Sequence, residues 1–159
     1  MALQTINDSL TLTIPDPFSV MEAEELHQLS RHGGDPFRWG ARDRERHVIL
    51  AAVWKQYPAP LLFLAGLKSM ARRNLELVRK ACPGRELRSV EFLSIHAGEF
   101  PAEGYRFTYS EGDMPQTQTT FLLKKGRVVY GLLCFGREEN RAADQSMFLG
   151  VMDSLRTAD

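Results

Sequence analysis

Few residues in this chain of 159 combine the types and the spacing that chemistry requires. His27 and His32 are five positions apart, and no Cys-x-x-Cys pair accompanies them, so metal-ligand spacing is missing. Cys134 lies inside the apolar run from Val128 to Phe135, where a thiol keeps its proton and is a poor nucleophile. We therefore expect no metal, no cofactor, no catalytic residues and no enzymatic activity.

Motifs that hold phosphate groups are also missing. Gly33-Gly34 is not followed by the Lys-Ser or Lys-Thr of a phosphate loop. The segment Arg42 to Arg46 could hold a phosphate, but Asp43 and Glu45 neutralise much of its charge, which favours a solvated hairpin tip. Lysine plus arginine and aspartate plus glutamate both number 20, so the net charge is zero and a nucleic-acid partner is not expected.

One set of polar positions is unusual because it is largely uncharged. These residues are polar positions on two adjacent predicted strands: Arg106, Thr108, Ser110, Gln116, Gln118 and Thr120. Amides, hydroxyls and one arginine suit a protein or peptide partner, although solvation alone also accounts for them. We predict that Arg106, Thr108, Gln118 and Thr120 share one sheet face and bind a protein.

The clearest pattern of secondary structure lies between Tyr105 and Leu155. Tyr105, Phe107 and Tyr109 alternate with polar residues, as in a strand with one covered face. The run from Val128 to Phe135 is apolar on both faces, which predicts a central strand. Together with the strand between them and a helix capped by Asn140, the pattern predicts three antiparallel strands and a closing helix.

The rest of the chain predicts further strands and helices. A helix from Pro60 to about Ala81 would bury one stripe of residues, namely Leu64, Leu67, Ala71, Leu75 and Val78. The remaining predicted elements are a strand Leu10–Ile14, a helix 21–30, a hairpin of 37–41 with 47–55, a strand 86–97 and a turn 100–104. Residues 1–159 are expected to form a single α+β domain, mainly an antiparallel β-sheet flanked by helices.

Several segments resemble the PsbP-like family. They are Ile14-Pro15-Asp16, Tyr105 to Tyr109, Thr119 to Leu123, Gly126 to Tyr130, and the terminal helix from Phe148 to Leu155. The resemblance implies an α/β/α sandwich and a binding role. That family includes a photosystem II extrinsic protein, a yeast Ran-binding import factor and the Eag chaperones of type VI secretion. A cytoplasmic bacterial adaptor, chaperone or immunity-type protein fits the resemblance here.

Location and partners follow from what the sequence carries. The first eight residues show no basic segment followed by an apolar one, and no run approaches a membrane span, so we expect a cytoplasmic protein without membrane insertion. Cys82 and Cys134 are expected to be reduced thiols. The leading hypothesis is a non-enzymatic protein-binding module, with homodimerisation left open. The alternative is a small-ligand carrier or small enzyme with a pocket between sheet and helices.

Overall fold

A computed structural model describes residues 1–30, 36–60 and 66–159. Its three helices are α1 (Ala23–Leu29), α2 (Leu67–Ala81) and α3 (Arg141–Asp153). The strands are, in chain order, β1 Ala2–Ile6, β2 Leu10–Ile14, β3 Ser19–Val20, β4 Trp39–Asp43, β5 Val48–Gln56, β6 Arg88–Ala97, β7 Phe100–Glu111, β8 Met114–Lys125, β9 Val128–Arg137 and β10 Arg156–Thr157. The α+β prediction is confirmed.

Seven strands form the main sheet, in the order β3-β4-β5-β9-β8-β7-β6, and every neighbouring pair is antiparallel. The apolar strand β9 lies in the middle of this order, between β5 and β8. Most of its residues are buried, which confirms the prediction of a central strand covered on both faces.

A second, three-stranded sheet has the order β1-β2-β10. Together with α3 it covers one face of the main sheet and encloses the larger core, in which Leu12, Leu123 and Phe148 are buried. Side chains also join the two sheets, since Lys125 donates from Nζ to the Ser9 hydroxyl at 2.6 Å. Burial of this apolar surface is the main stabilising contribution to such a fold.

Helix α2 covers part of the opposite face. Ala71 and Leu75 are buried against Tyr105, Phe107 and further side chains of β7 and β8. The predicted stripe is therefore correct for those two residues, whereas Leu67 and Val78 of the same stripe are only half-buried. Leu64 of the stripe, like His32 and the Gly33-Gly34 pair, lies outside the described residues.

Two boundary predictions are wrong, and one strand is not predicted. A continuous helix from Pro60 is not found, because Gly66 has extended backbone and is the N-cap of α2. The predicted turn 100–104 is the first part of β7. Gly104 serves close packing there, since a Cβ on it would stand 1.8 Å from the carbonyl oxygen of Thr120 on the neighbouring strand. The polar-looking start of the chain, moreover, is strand β1.

Candidate binding surfaces

The four predicted partner-binding residues lie on two opposite faces of the sheet. In the β7–β8 register Arg106 is opposite Thr119, and Thr108 is opposite Thr117. Gln118 and Thr120 are instead opposite Phe107 and Tyr105, so they point to the face beneath α2. The prediction of one shared surface is wrong by one residue of register, and a one-residue slip moves every side chain of a strand to the other face.

Gln118 and Thr120 are buried. Their exposed fractions are 7% and 2%, and the Gln118 amide donates to the Thr120 hydroxyl oxygen at 3.2 Å. Above them, the Tyr105 hydroxyl donates to the Asn74 side-chain oxygen of α2. Burial raises the pKa of Tyr105 to about 12, and a hydrogen bond with Thr120 opposes that shift. The hydrogen bond from Tyr105 to Asn74 therefore joins α2 to the sheet, and Gln118 and Thr120 do not face solvent.

Arg106 and Thr108 belong to a network of charged side chains on the other face. Arg106 donates to the Glu91 carboxylate of β6, and Glu91 lies 3.7 Å from Nη2 of Arg141 at the start of α3. Arg141 also donates to Glu138 at 3.3 Å. The charges of Arg106 and its neighbours are therefore largely matched within the chain, which leaves little unsatisfied charge for a partner at this place.

Glu138 is the acceptor at the centre of that network. The hydroxyls of Thr117 and Thr108 and the guanidinium of Arg141 all donate to its carboxylate. Burial by itself would raise the pKa of Glu138, but these hydrogen bonds outweigh it and hold the pKa below the usual value for glutamate. Glu138 is therefore a carboxylate whose charged form is stabilised by the fold.

A cleft opens beside this network, between the first turns of α3 and the sheet. It has about 10 Å³ of space for the centre of a water-sized molecule and is lined by residues of β8, β9 and α3: Thr117, Thr119, Cys134, Gly136, Arg137, Arg141, Asp144, Gln145 and Phe148. Among the described residues, Oδ2 of Asp144 and Nε2 of Gln145 are buried and find no hydrogen-bond partner. One acceptor and one donor are thus unsatisfied in the same cleft.

Asp144 is anchored on its other oxygen. Arg46, in the turn between β4 and β5, donates to Oδ1 at 2.6 Å. Burial raises the pKa of Asp144; the charge of Arg46 acts against that shift, and the charge of Asp43 adds to it. Oδ2 faces Gly136, where a Cβ would stand only 2.5 Å away. Glycine at position 136 therefore makes room for the carboxylate.

The turn from Arg42 to Arg46 is not the solvated tip that the sequence favours. Asp43 is 2% exposed and accepts hydrogen bonds from the backbone N–H groups of Glu45 and Arg46. Arg42 and Arg44 both reach Oε2 of Glu25 in α1, at 3.2 and 3.5 Å. The charged side chains of this turn therefore join the β4–β5 hairpin to α1 and α3. In the sequence, the alternation of positive and negative residues gives no indication of these contacts.

A second surface is the outer side of β6, which no strand within the described residues pairs with; we call it the free edge of the main sheet. Strand β6 is last in the strand order, and it pairs with β7 without interruption from Glu91 to Ala97. Phe92 is 44% exposed on one face, while Leu93 and Ile95 are half-buried on the other. An unpaired edge of this kind presents backbone N–H and C=O groups to any extended segment that approaches.

Helix α2 brings positive charge to that edge. Arg72 lies over the ring of Phe92, with 4.2 Å from its guanidinium carbon to the ring centroid. Lys68 precedes Arg72 and Arg79 follows it at helical spacing, so the three residues lie on the same side of the helix. The sequence alone carries no sign that this side borders an edge strand.

Among the described residues, the candidate nucleophile Cys134 and the histidines do not assemble a catalytic set. Burial raises the pKa of Cys134 to about 12, with a further increase from Asp144 and an opposing effect of Arg46. Such a thiol is protonated at neutral pH. His27 lies in α1, His47 in the β4–β5 turn with φ of 57°, and His96 on the exposed face of β6, so they belong to three separate elements.

Comparison with known proteins supports the fold. No protein-family model matches the chain, and no curated protein matches its sequence. The solution structure of cyanobacterial PsbP (CyanoP) from Synechocystis sp. PCC 6803 is similar, with a TM-score of 0.69, 17% identity, and coverage of 98% of this chain and 92% of that one. LpqN, involved in cell envelope biogenesis of Mycobacterium tuberculosis, has a TM-score of 0.54, 14% identity, and coverage of 94% and 83%.

A protein from Bacteroides thetaiotaomicron also has a TM-score of 0.54, at 9% identity, and the match covers 94% of this chain but 45% of that one. At such identities the similarity establishes the fold alone. The fold is PsbP-like, as the sequence resemblance predicts. The narrower resemblance to the Eag chaperones receives no support from these structures. In the part of the chain that the structure describes, no helix has the length and hydrophobicity needed to cross a membrane.

Proposed function

We propose that this protein is a non-enzymatic protein-binding module that takes up an extended segment of its partner at the free edge of β6. The length of this edge carries the proposal. Strand β6 has ten residues, whereas the other strands at sheet edges, β1, β3 and β10, have five, two and two. A segment that pairs with an edge strand gains backbone hydrogen bonds, and side-chain contacts then give specificity.

The side chains of β6 favour such an added strand. Leu93 and Ile95 point to the face of the larger core and are half-buried, so a neighbouring strand would cover apolar surface that solvent now reaches. The exposed ring of Phe92 offers a second apolar contact on the opposite face. The binding role therefore moves from the predicted surface of Arg106, Thr108, Gln118 and Thr120 to the neighbouring edge.

Selection from a library of random displayed peptides tests the proposal without a known partner. We expect peptides that bind the full chain to protect backbone amides of β6 from hydrogen exchange and to leave those of β1 unchanged. Selected peptides that instead protect residues of the cleft, or a selection that returns no binder, would contradict binding at this edge.

Two lysine substitutions on adjacent residues sharpen this test. Ile95→Lys places a charge on the half-buried face that an added strand must cover, and it should weaken peptide binding by about tenfold or more. His96→Lys places the same side chain on the exposed face and should leave binding within about threefold. Thermal melts of both variants check that each remains folded.

The proposed role is that of an adaptor or chaperone in the cytoplasm. The protonated state of Cys134 and the separation of the histidines support a role without catalysis. A small-ligand carrier is the second candidate function, and the unsatisfied Asp144 Oδ2 and Gln145 Nε2 favour it. A primary carboxamide has the complementary donor and acceptor, so a metabolite screen that returns such compounds, with protection of Gly136 and Gln145, would support the carrier.

A further inference from the structure

The charges around β6 identify the chemistry of its partner. We infer that the segment which pairs with β6 is acidic, with carboxylates at alternating positions on the side that faces α2. This inference rests on the proposed function, because it specifies the occupant of the same edge. It is carried by an uneven distribution of charge in a chain whose total is zero.

Positive charge is concentrated in one segment. Residues 66–88 contain seven lysines and arginines but only two glutamates, which gives this segment a net charge of +5. Because the whole chain is neutral, the other residues together have a net charge of −5. The segment consists of α2, the connection after it and the first residue of β6, and Arg72 brings part of its charge to the free edge.

Most of this charge has no carboxylate partner. Arg79 pairs with Glu76 at 3.3 Å, and both side chains are largely exposed. Within the described parts of the chain, no carboxylate lies at ion-pair distance from Lys68, Arg72 or the other lysine and arginine of α2. These side chains are exposed to solvent. They are therefore available to carboxylates that an incoming segment would bring.

The contact of Arg72 with Phe92 fixes which side of α2 borders the edge. Lys68 and Arg79 share that side with Arg72, so the three residues form a basic row on the side of α2 from which Arg72 reaches β6. Side chains of an added strand alternate between the two faces of the sheet, so every second one would point toward this row. The intervening side chains would cover Leu93 and Ile95, which favours apolar residues at those positions.

The acidic side chain of Glu103 limits where along β6 the carboxylates of the partner can lie. Glu103 is opposite Ser94 in the β6–β7 register, and the Ser94 hydroxyl donates to its carboxylate at 2.5 Å. A carboxylate of the partner beside Ser94 would meet this charge. We therefore expect the acidic residues of the partner to gather at the Phe92 end of the pairing and to be scarce at the Ser94 end.

A polypeptide fits this place better than the other anionic macromolecules. The apolar stripe of α2 is packed against the sheet, and Leu77, 57% exposed, is its most exposed large apolar side chain, so the helix has no apolar face to insert into a lipid surface. A nucleic acid would use the basic row but would leave the backbone groups of the β6 edge unpaired. An acidic extended segment would pair with the backbone groups of the β6 edge and would also contact the basic row.

The peptides selected for the proposed function also test this inference. We expect them to be enriched in aspartate and glutamate at alternating positions, and replacing those residues by glutamine or asparagine in one such peptide should weaken binding by about tenfold. Raising the salt concentration to about 1 M, where the Debye length is about 3 Å, should weaken binding as well.

Matched double variants of α2 locate the contact. Lys68→Gln with Arg79→Gln removes two charges from the row beside β6 and should weaken binding of the acidic peptide by about tenfold. Arg73→Gln with Lys80→Gln removes two charges from the other side of the same helix and should change binding by less than about threefold. Equal effects of the two pairs would show that only the total charge matters, and would overturn the inference.

Other outcomes separate the two proposals. Peptides that protect β6 but show no excess of acidic residues would leave the proposed function standing and overturn the acidic partner. Peptides that protect no part of β6 would overturn both. Binding of phosphatidylserine vesicles or duplex DNA as tightly as the acidic peptide, with the same loss in the Lys68 and Arg79 variant, would assign the basic row to lipid or nucleic acid instead.

Discussion

Arg46 and Asp144 are 98 positions apart in sequence, yet their side chains form an ion pair with 2.6 Å between Nη2 and Oδ1. The contact joins the β4–β5 turn to the first turns of α3, and it brings Asp144 to the wall of the cleft. Asp43 lies within electrostatic reach of the same carboxylate. Asp144 therefore depends on one arginine in a place where its own side chain is largely shielded from solvent.

Arg46→Ala should destabilise the protein. The side chain of Asp144 is 6% exposed, so it would lose its positive partner where water cannot replace it. Arg46 itself is 39% exposed, which screens the interaction, and we expect a loss of about 1–3 kcal/mol in the free energy of unfolding. Arg44→Ala, at a side chain 73% exposed, should stay within about 0.5 kcal/mol in the same urea titrations.

The raised pKa of Asp144 gives a pH dependence of known sign. The folded chain binds a proton at this carboxyl more tightly than the unfolded chain does, so the group's contribution to stability falls as pH rises through its folded pKa. Relative to Asp144→Asn, the native sequence should therefore gain stability as pH is lowered from about 7 toward the ordinary pKa of about 3.9. A constant difference between the two proteins would contradict the shift.

Glu138 should show the opposite sign. Its pKa is held down by hydrogen bonds that outweigh burial, so its stabilisation is complete above the ordinary pKa of about 4.3 and is lost as pH falls through the folded pKa. Relative to Glu138→Gln, the native sequence should lose stability on acidification. Urea titrations of both variant pairs across the same pH series compare the two signs directly.

Packing of α2 gives a prediction with an internal control. Leu75 is 2% exposed among the aromatic side chains of β7, so Leu75→Ala should lower the free energy of unfolding by about 2–5 kcal/mol. Arg73→Ala, on the exposed side of the same helix, should change it by less than about 0.5 kcal/mol. Similar losses in the two variants would mean that the buried face of α2 has been misplaced.

The sequence predicts the three final strands and the closing helix because their periodic patterns are long and bounded by turn residues. The sequence does not predict β1, whose apolar and polar residues alternate only weakly. It wrongly predicts a turn at residues 100–104, because proline and glycine are typical of turns. Gly104 in fact lies where two strands approach closely. The local sequence carries no information about the distance from Gly104 to the carbonyl oxygen of Thr120 on the neighbouring strand. Long strands were therefore predictable, and tertiary contacts of single residues were not.

The expectation that the four candidate site residues share one face is wrong for a related reason. Alternation in β7 and β8 shows which residues of each strand share a face, but the choice between pairing Arg106 with Gln118 and with Thr119 depends on the turn that joins the strands. The observed register opposes Arg106 to Thr119 and divides the predicted set. The basic row of α2 likewise required the fold, because the contact of Arg72 with Phe92 is what brings that side of the helix to β6.

Two glycines should respond in opposite directions to alanine. Gly104→Ala would place a Cβ 1.8 Å from a backbone oxygen that is held in the sheet, and we expect a loss above about 4 kcal/mol or failure to fold. Gly150 lies in α3 with no atom within 4 Å of an added Cβ, so Gly150→Ala should raise stability by about 0.5–1 kcal/mol. Thermal melts measure both effects, and destabilisation by Gly150→Ala would contradict the open position of that residue.

The two thiols should differ strongly in reactivity. Both cysteines are free, Cys82 half-buried after α2 and Cys134 5% exposed in β9. With its pKa raised to about 12, Cys134 has little thiolate at about pH 8, so a thiol-specific reagent should modify Cys82 rapidly and Cys134 only as fast as the fold opens. Cys82→Ser should remove the rapid phase and leave the slow one, and denaturant should make the remaining thiol react at once. Rapid modification of Cys134 in the folded Cys82→Ser variant would show an accessible thiolate and reopen the case for a nucleophile beside Asp144.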